Sequence, residues 1–229
     1  MPISEIQRVE ATGAASSSTI AVACSSGNAG NYVRVLVRCD DPPVGITVSD
    51  NGAFGGNAYV SLGGIQEAGT TQWLEEFYAT IDNSMTSITA DFGGAITGRA
   101  IAAIEYSGGT GIDGDDQQTD TGSNPTTTLS ITNTTQPGVM FCACNDVQGG
   151  TPTAGSGFTD DGLIWSGFSN TRLQYKAIST VGSQTGNFGN ASLDRNNATA
   201  LIFLTSAAAE NPGARRSQYR IQPMIRGPM

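Results

Sequence analysis

The residues of this chain that could do chemistry are acids on a glycine-bearing stretch. Asp113, Asp115, Asp116 and Asp120 all fall within Gly111–Asp120. Calcium takes clustered carboxylates as ligands, so this run is a weak calcium candidate. Its Asp-Gly-Asp-Asp spacing is not that of an EF-hand loop, which closes on a glutamate at its twelfth position. The plainer reading is a solvated acidic loop. Such acids could also form half of a carboxylate pair for glycoside hydrolysis, but spare acids alone do not make one. Histidine is absent altogether. That removes Ser-His-Asp and Cys-His machinery, histidine-ligated zinc or haem, and imidazole acid–base chemistry. The expectation is no catalytic residue, no bound cofactor beyond that calcium candidate, and a protein that acts through shape and surface and not as an enzyme.

Two further residue sets could bind without catalysing. Trp73, Tyr78, Tyr106, Trp165, Phe168 and Tyr175 could supply a sugar-binding platform, although aromatic rings more often pack cores. Trp165 is the most distinctive, set between Gly162 and Gly167 and far from charge, with core and interface both open to it. The second set is basic. The whole chain holds 20 acids against 11 basic residues, a net charge of −9. Residues 207–229 invert that balance, with Arg215, Arg216, Arg220 and Arg226 against Glu210 alone. Arg215, Arg216, Tyr219, Arg220, Ile221 and Arg226 therefore form a candidate docking peptide for an acidic surface or a neighbouring subunit. The alternative is a frayed, solvated terminus. An acidic body with so few clustered cations is not expected to bind nucleic acid.

The four cysteines are Cys24, Cys39, Cys142 and Cys144, with no Cys-x-x-Cys spacing. Cys142 and Cys144 would share one face of a strand, which places them poorly to bond each other. Their plainest role is that of small buried hydrophobes; sequence alone leaves their pairing open. Met1–Glu5 has no basic leader, and no run approaches the roughly 18 apolar residues of a membrane span. The expectation is a chain made in the cytoplasm without a signal peptide and without a membrane partner.

These residues must be carried on strands. Period-2 alternation dominates, as in Val33, Val35, Val37 and Cys39 against Tyr32, Arg34, Leu36 and Arg38, which reads as one buried and one half-wet face. Ala100–Ile104, Val139–Ala143 and Ala200–Leu204 are apolar on both faces and read as central strands. Asp50-Asn51-Gly52, Gly63-Gly64 and similar clusters punctuate the runs. The only helix-like stretch, Gln72–Ala79, fits a strand as well. Gly108–Pro125 reads as a loop or a wandering edge, and no clean internal repeat is visible. The expected fold is all-β: a two-sheet antiparallel β-sandwich, jelly-roll or lectin-like, over residues 1–206, with an extended basic tail over 207–229.

Ala103-Ile104-Glu105-Tyr106-Ser107-Gly108 carries a resemblance. It is preceded by Trp73-Leu74-Glu75-Glu76-Phe77-Tyr78 and followed by Ala154-Gly155-Ser156-Gly157-Phe158-Thr159 and Ala198–Phe203. This order resembles a β-sandwich family with a Glu-Tyr-Ser-Gly strand end, found in bacterial surface proteins and in virion proteins of tailed phages. The resemblance spans about residues 15–206. It implies a sandwich for display or adhesion, with no catalytic residues, packed as a homo-oligomer. The expected role is a phage virion structural protein: a capsid decoration (cement) protein, or a fibre- or tail-associated surface protein. It would be located in the virion and bound to other virion proteins, the major capsid protein first. The alternative is a carbohydrate-binding module or adhesin with a glycan partner. Glu105 is either a solvent-facing or backbone-capping acid, or a buried one paired with Arg99 or Arg172.

Overall fold

The computed structural model describes residues 3–25, 27–67, 69–120, 128–134, 137–146, 150–165, 170–189 and 196–205. The basic segment 207–229, with Arg215, Arg216, Tyr219, Arg220, Ile221 and Arg226, lies outside the described residues, as does Phe168. The fold is all-β and antiparallel, as expected. Its strands are β1 (Ser4–Gly13), β2 (Ser17–Ala23), β3 (Tyr32–Cys39), β4 (Thr47–Asp50), β5 (Val60–Gln66), β6 (Trp73–Thr80), β7 (Ser87–Ile96) and β8 (Arg99–Ser107). There follow β9 (Gly109–Asp120), β10 (Thr128–Asn133), β11 (Gly138–Asp146), β12 (Thr153–Ala154), β13 (Thr159–Ile164), β14 (Thr171–Ile178), β15 (Gly182–Gly189) and β16 (Asn196–Thr205). Among the described residues, no helix is long and apolar enough to cross a membrane.

The sandwich is built twice. In the first half, a five-stranded sheet runs β1-β8-β3-β6-β5 and a three-stranded sheet runs β2-β7-β4. In the second half, the corresponding sheets run β9-β16-β11-β14-β13 and β10-β15-β12. Adding eight to every strand number converts one half into the other. Each half has jelly-roll wiring, with its fifth strand attached to the larger sheet. The repeat that the residues do not advertise is thus present in the connectivity. It is also present in local detail. In β5 the Ser61 hydroxyl accepts from Gly63 N at 2.9 Å, and in β13 the Asp160 carboxylate accepts from Gly162 N at 2.9 Å. Both glycines take positive φ, 95° and 91°, and both sit where the strand slips register against its neighbour. Glycine adopts that backbone without the Cβ penalty that other residues meet.

Three apolar cores order the sheets into four layers. One core joins the β2-β7-β4 sheet to the first large sheet through Val33, Val35, Val37, Ile88 and Phe92. A second joins the two large sheets through Leu36, Ile104, Tyr106, Phe141, Trp165, Leu201 and Phe203. A third joins the second large sheet to the β10-β15-β12 sheet through Leu129, Ile131, Met140, Cys142, Ile202 and Phe188. The central strands of a large sheet therefore have no wet face. This is why β8, β11 and β16 read apolar on both sides, and why every residue of β3 is buried. The half-wet face expected for Tyr32–Cys39 is corrected here: Arg34 and Arg38 point into the interior, at 0% and 3% exposure.

Two readings left open by the sequence are settled. Gln72–Ala79 contributes a strand, β6, because Leu74, Glu76 and Tyr78 alternate with Trp73, Glu75 and Phe77 across its pairing with β3. Gly109–Asp120 is not a loop but the edge strand β9, paired along β16. An edge tolerates polar side chains that a central position would not, since one side of the strand stays open.

Candidate functional site

The four acids proposed for calcium lie on β9. Asp113 receives hydrogen bonds from Thr134 N and Thr134 Oγ1, both at 2.7 Å. Asp116 accepts from Ser130 N at 2.7 Å and from Gln117 N at 2.9 Å. These two carboxylates tie the edge strand to β10 and its exit. Partial burial, with the charges of Glu76 and Asp116, raises the Asp115 carboxyl above its ordinary range. Asp120 sits on the strand opposite Asn196, its side chain outside the description. Among the described residues, no group of three or more Asp, Glu or Cys side chains is placed to hold a metal ion.

The groups the structure does bring together lie at the seam between the two sandwiches, where edge strands β1 and β13 face each other. A cleft of about 340 Å³ opens there. Its walls include Ile3, Glu5, Tyr106, Val139, Phe141, Asp161 and Tyr175. Two β-bulges shape it. On β1 the register slips between Glu5 and Gln7, with Glu5 opposite Tyr106 and Arg8 opposite Ile104. Residues three apart on a regular strand point to opposite faces; the extra residue puts Glu5 and Arg8 on the same one. On β13 the slip between Asp160 and Gly162 leaves Asp161 as the unpaired residue, turned toward the seam. Bulges recur beside functional sites because they re-aim side chains in this way.

Arg8 spans the two bulges. Its Nη2 lies 2.6 Å from Glu5 Oε2 and 2.8 Å from Asp161 Oδ2, and its Nη1 donates to Asp161 O at 2.8 Å. Burial opposes the guanidinium's charge, but hydrogen bonding and Coulomb attraction from the two acids raise it further. Behind them runs an array of rings. Tyr106 and Phe141 centroids are 4.6 Å apart, and Phe141 and Tyr175 centroids 6.0 Å. Tyr106 is 3% exposed, yet its hydroxyl has no hydrogen-bond partner among the described residues. Burial first, then the nearby Asp161 and Glu5, raises that phenol above its usual range. The Glu5 and Asp161 carboxylates thus converge on one guanidinium.

Of the aromatics singled out in the sequence, Tyr106 and Tyr175 come together in this cleft. Trp165 does not. It is 2% exposed in the middle core, and its Nε1 donates to Ile101 O in the other sandwich at 3.1 Å. Trp73 leans on the first core and donates to Glu75 at 3.0 Å. Glu5, Arg8 and Asp161 were not singled out, and their only signal is the Asp160-Asp161-Gly162 bulge triplet.

Glu105 combines parts of its two readings: it is buried, as the second has it, but it caps backbone, as the first has it, and neither Arg99 nor Arg172 is its partner. It accepts from Gln7 Nε2 at 2.5 Å, Asn28 N at 3.1 Å and Asn31 Nδ2 at 2.5 Å. Arg99 instead donates to the carbonyls of Ala15 and Thr19, and Arg172 pairs with Asp160 at 3.0 Å. All four cysteines are free thiols. Cys39, Cys142 and Cys144 are buried and Cys24 is half-buried, which fits small hydrophobes. No family model, curated protein or solved structure matches the chain.

Proposed function

We propose that this chain is a virion structural protein: a capsid decoration (cement) protein or a fibre- or tail-associated surface protein, non-enzymatic and assembled as a homo-oligomer on other virion proteins. The observation that carries this reading is the duplicated jelly-roll wiring stacked into four layers. Such a body has three packed cores and little interior left for chemistry. Its outer strands present small neutral residues, as on β10, where Thr128, Ser130 and Thr132 face outward from Leu129 and Ile131. The residue-level support is the sequence resemblance to phage virion proteins together with the Arg-bearing segment 207–229, whose cations suit charge-assisted contacts to an acidic neighbour.

The test is cosedimentation. Tagged full-length chain should band with particles of the phage that encodes it, with the major capsid protein as its first crosslinking partner. Chain that stays at the top of the gradient overturns the reading. A variant ending at Ser206 separates the body from the tail: if it binds particles as the full chain does, attachment through 207–229 is wrong. Light scattering on the full chain reports the oligomeric state directly. Calcium titration followed by thermal unfolding tests the acidic strand, and an unchanged Tm removes calcium as a cofactor.

A second reading is a glycan-binding adhesin. The seam cleft favours it, because rings and carboxylates there share one concavity.

A further inference from the structure

We propose that the seam cleft is a binding site for a neutral pyranose unit of a glycan, with Tyr175 as the stacking platform and Glu5, Asp161 and Tyr106 as hydroxyl partners. The inference deepens the glycan-binding reading and is independent of the virion one. A sugar ring has an apolar face of C–H groups and a rim of hydroxyls. Recognising it takes an exposed aromatic plane beside fixed acceptors. Tyr175 supplies the plane: it is 36% exposed, and its ring is backed by Phe141. Glu5 and Asp161 supply the acceptors, and Arg8 holds both in place before any ligand arrives. Acceptors locked in this way lose little freedom on binding.

The Tyr106 hydroxyl is the second, independent pointer. A buried phenol O–H without a partner carries a free-energy cost, and native proteins rarely leave one so. It belongs to a residue lining this cleft, and because the oxygen itself is covered, a sugar hydroxyl satisfies it as the cleft wall yields on binding. Charge selects the class of sugar. Two carboxylates against one guanidinium leave the site acidic, so uronic and sialic acids are disfavoured and neutral sugars preferred. Size fits as well. The cleft lies at the small end of the roughly 300–1,000 Å³ range of small-molecule sites. A second groove of about 460 Å³ shares Ile3 and Val139 with it, which gives a chain of sugars a path onward.

The experiment is a chemical-shift titration of full-length, isotope-labelled protein with methyl glycosides of glucose, galactose and mannose, N-acetylglucosamine, lactose and maltose at millimolar concentrations. Glucuronic and sialic acids serve as the anionic comparison. At least one neutral sugar should give saturable shifts confined to the seam, with the anionic ones silent. Tyr175→Ala should weaken that binding about tenfold, the worth of one stacking contact. Tyr106→Phe keeps the ring but removes the hydroxyl, and should cost a few-fold with the circular dichroism spectrum and Tm retained. No saturable shift from any neutral sugar overturns the proposal, and so does binding that Tyr175→Ala leaves unchanged. Preference for the anionic sugars overturns it too. Protein that cosediments with particles but binds no sugar sinks this proposal alone and leaves the virion reading standing.

Discussion

Arg34 and Glu76 form an ion pair in which neither side chain is exposed, and the Thr199 hydroxyl of the other sandwich donates to the same carboxylate at 2.5 Å. The pair sits inside the core that joins the two large sheets, with the Arg34 guanidinium 5.9 Å from the Phe141 ring centroid. Burial disfavours the charged guanidinium, but Glu76 outweighs that and raises its pKa. Glu76→Leu strands Arg34 as an uncompensated charge and should cost about 3–5 kcal/mol in urea unfolding. Replacing both partners, Arg34→Met with Glu76→Leu, should recover most of the loss. A single variant that costs no more than the double one would mean that the pair is not desolvated.

Trp165 reports on the same seam. Its ring is enclosed by both sandwiches, and its backbone N–H donates to Glu10 Oε2 across the seam at 2.6 Å. Its fluorescence should be blue-shifted and protected from iodide quenching until the cooperative transition. Trp165→Ala should remove about 3–5 kcal/mol through the cavity it leaves. If Trp165 is quenched at low denaturant while the Trp73 signal persists, the two sandwiches separate before they unfold, and the middle core is weaker than its packing implies.

Gly162 should be less replaceable than its sequence neighbours. It takes a φ of 91°, and among the described residues only Arg8 Nη1 comes near, 4.0 Å from where a Cβ would be. Strain, not space, is what an alanine would meet there. Gly162→Ala should therefore cost more than about 1 kcal/mol by thermal unfolding. It should also loosen the Arg8 contact, because the bulge that aims Asp161 depends on that backbone. An alanine that is neutral would show that the bulge can relax without glycine.

Much of the fold was legible because alternation is a local signal. Val33, Val35 and Val37 announce a strand whatever lies above them. The second covering layer was not legible, because Arg34 looks like part of a wet face until Glu76 pairs with it and Phe141 and Thr199 arrive from the other sandwich to close over the pair. β9 was half legible: its composition left loop and edge both open, since Asp113 and Asp116 look like loop acids until Thr134 and Ser130 bond them. The duplication was hidden because Ser61 and Asp160 perform one task with different side chains. Both accept from the amide of the glycine two residues on, so chemistry is repeated where identity is not. The cleft was half legible: Tyr106 and Tyr175 are aromatic and could be named. Glu5, Arg8 and Asp161 meet only because two bulges break the period-2 rule that the reading relied on.

The thiols set an alkaline limit on stability. Burial pushes Cys39 and Cys142 up to about 12, and Cys144 rises well above its ordinary value for the same reason. In the unfolded chain a thiol titrates near about 8.5. Between those values the unfolded state has released protons that the native state retains, so unfolding becomes more favourable as pH rises. The stabilisation from keeping these thiols neutral is fully present below about pH 8.5 and is lost progressively toward about 12. The phenols of half-buried Tyr59 and buried Tyr106, also raised, act in the same direction. Urea midpoints should therefore hold steady through neutral pH and fall above about pH 9. At about pH 8 a disulfide-exchange reagent should label Cys24 first, as the half-buried thiol, and reach the other three only on unfolding. Labelling of Cys142 or Cys144 in the native protein as fast as in the denatured chain would show that the third core, where both pack, is open.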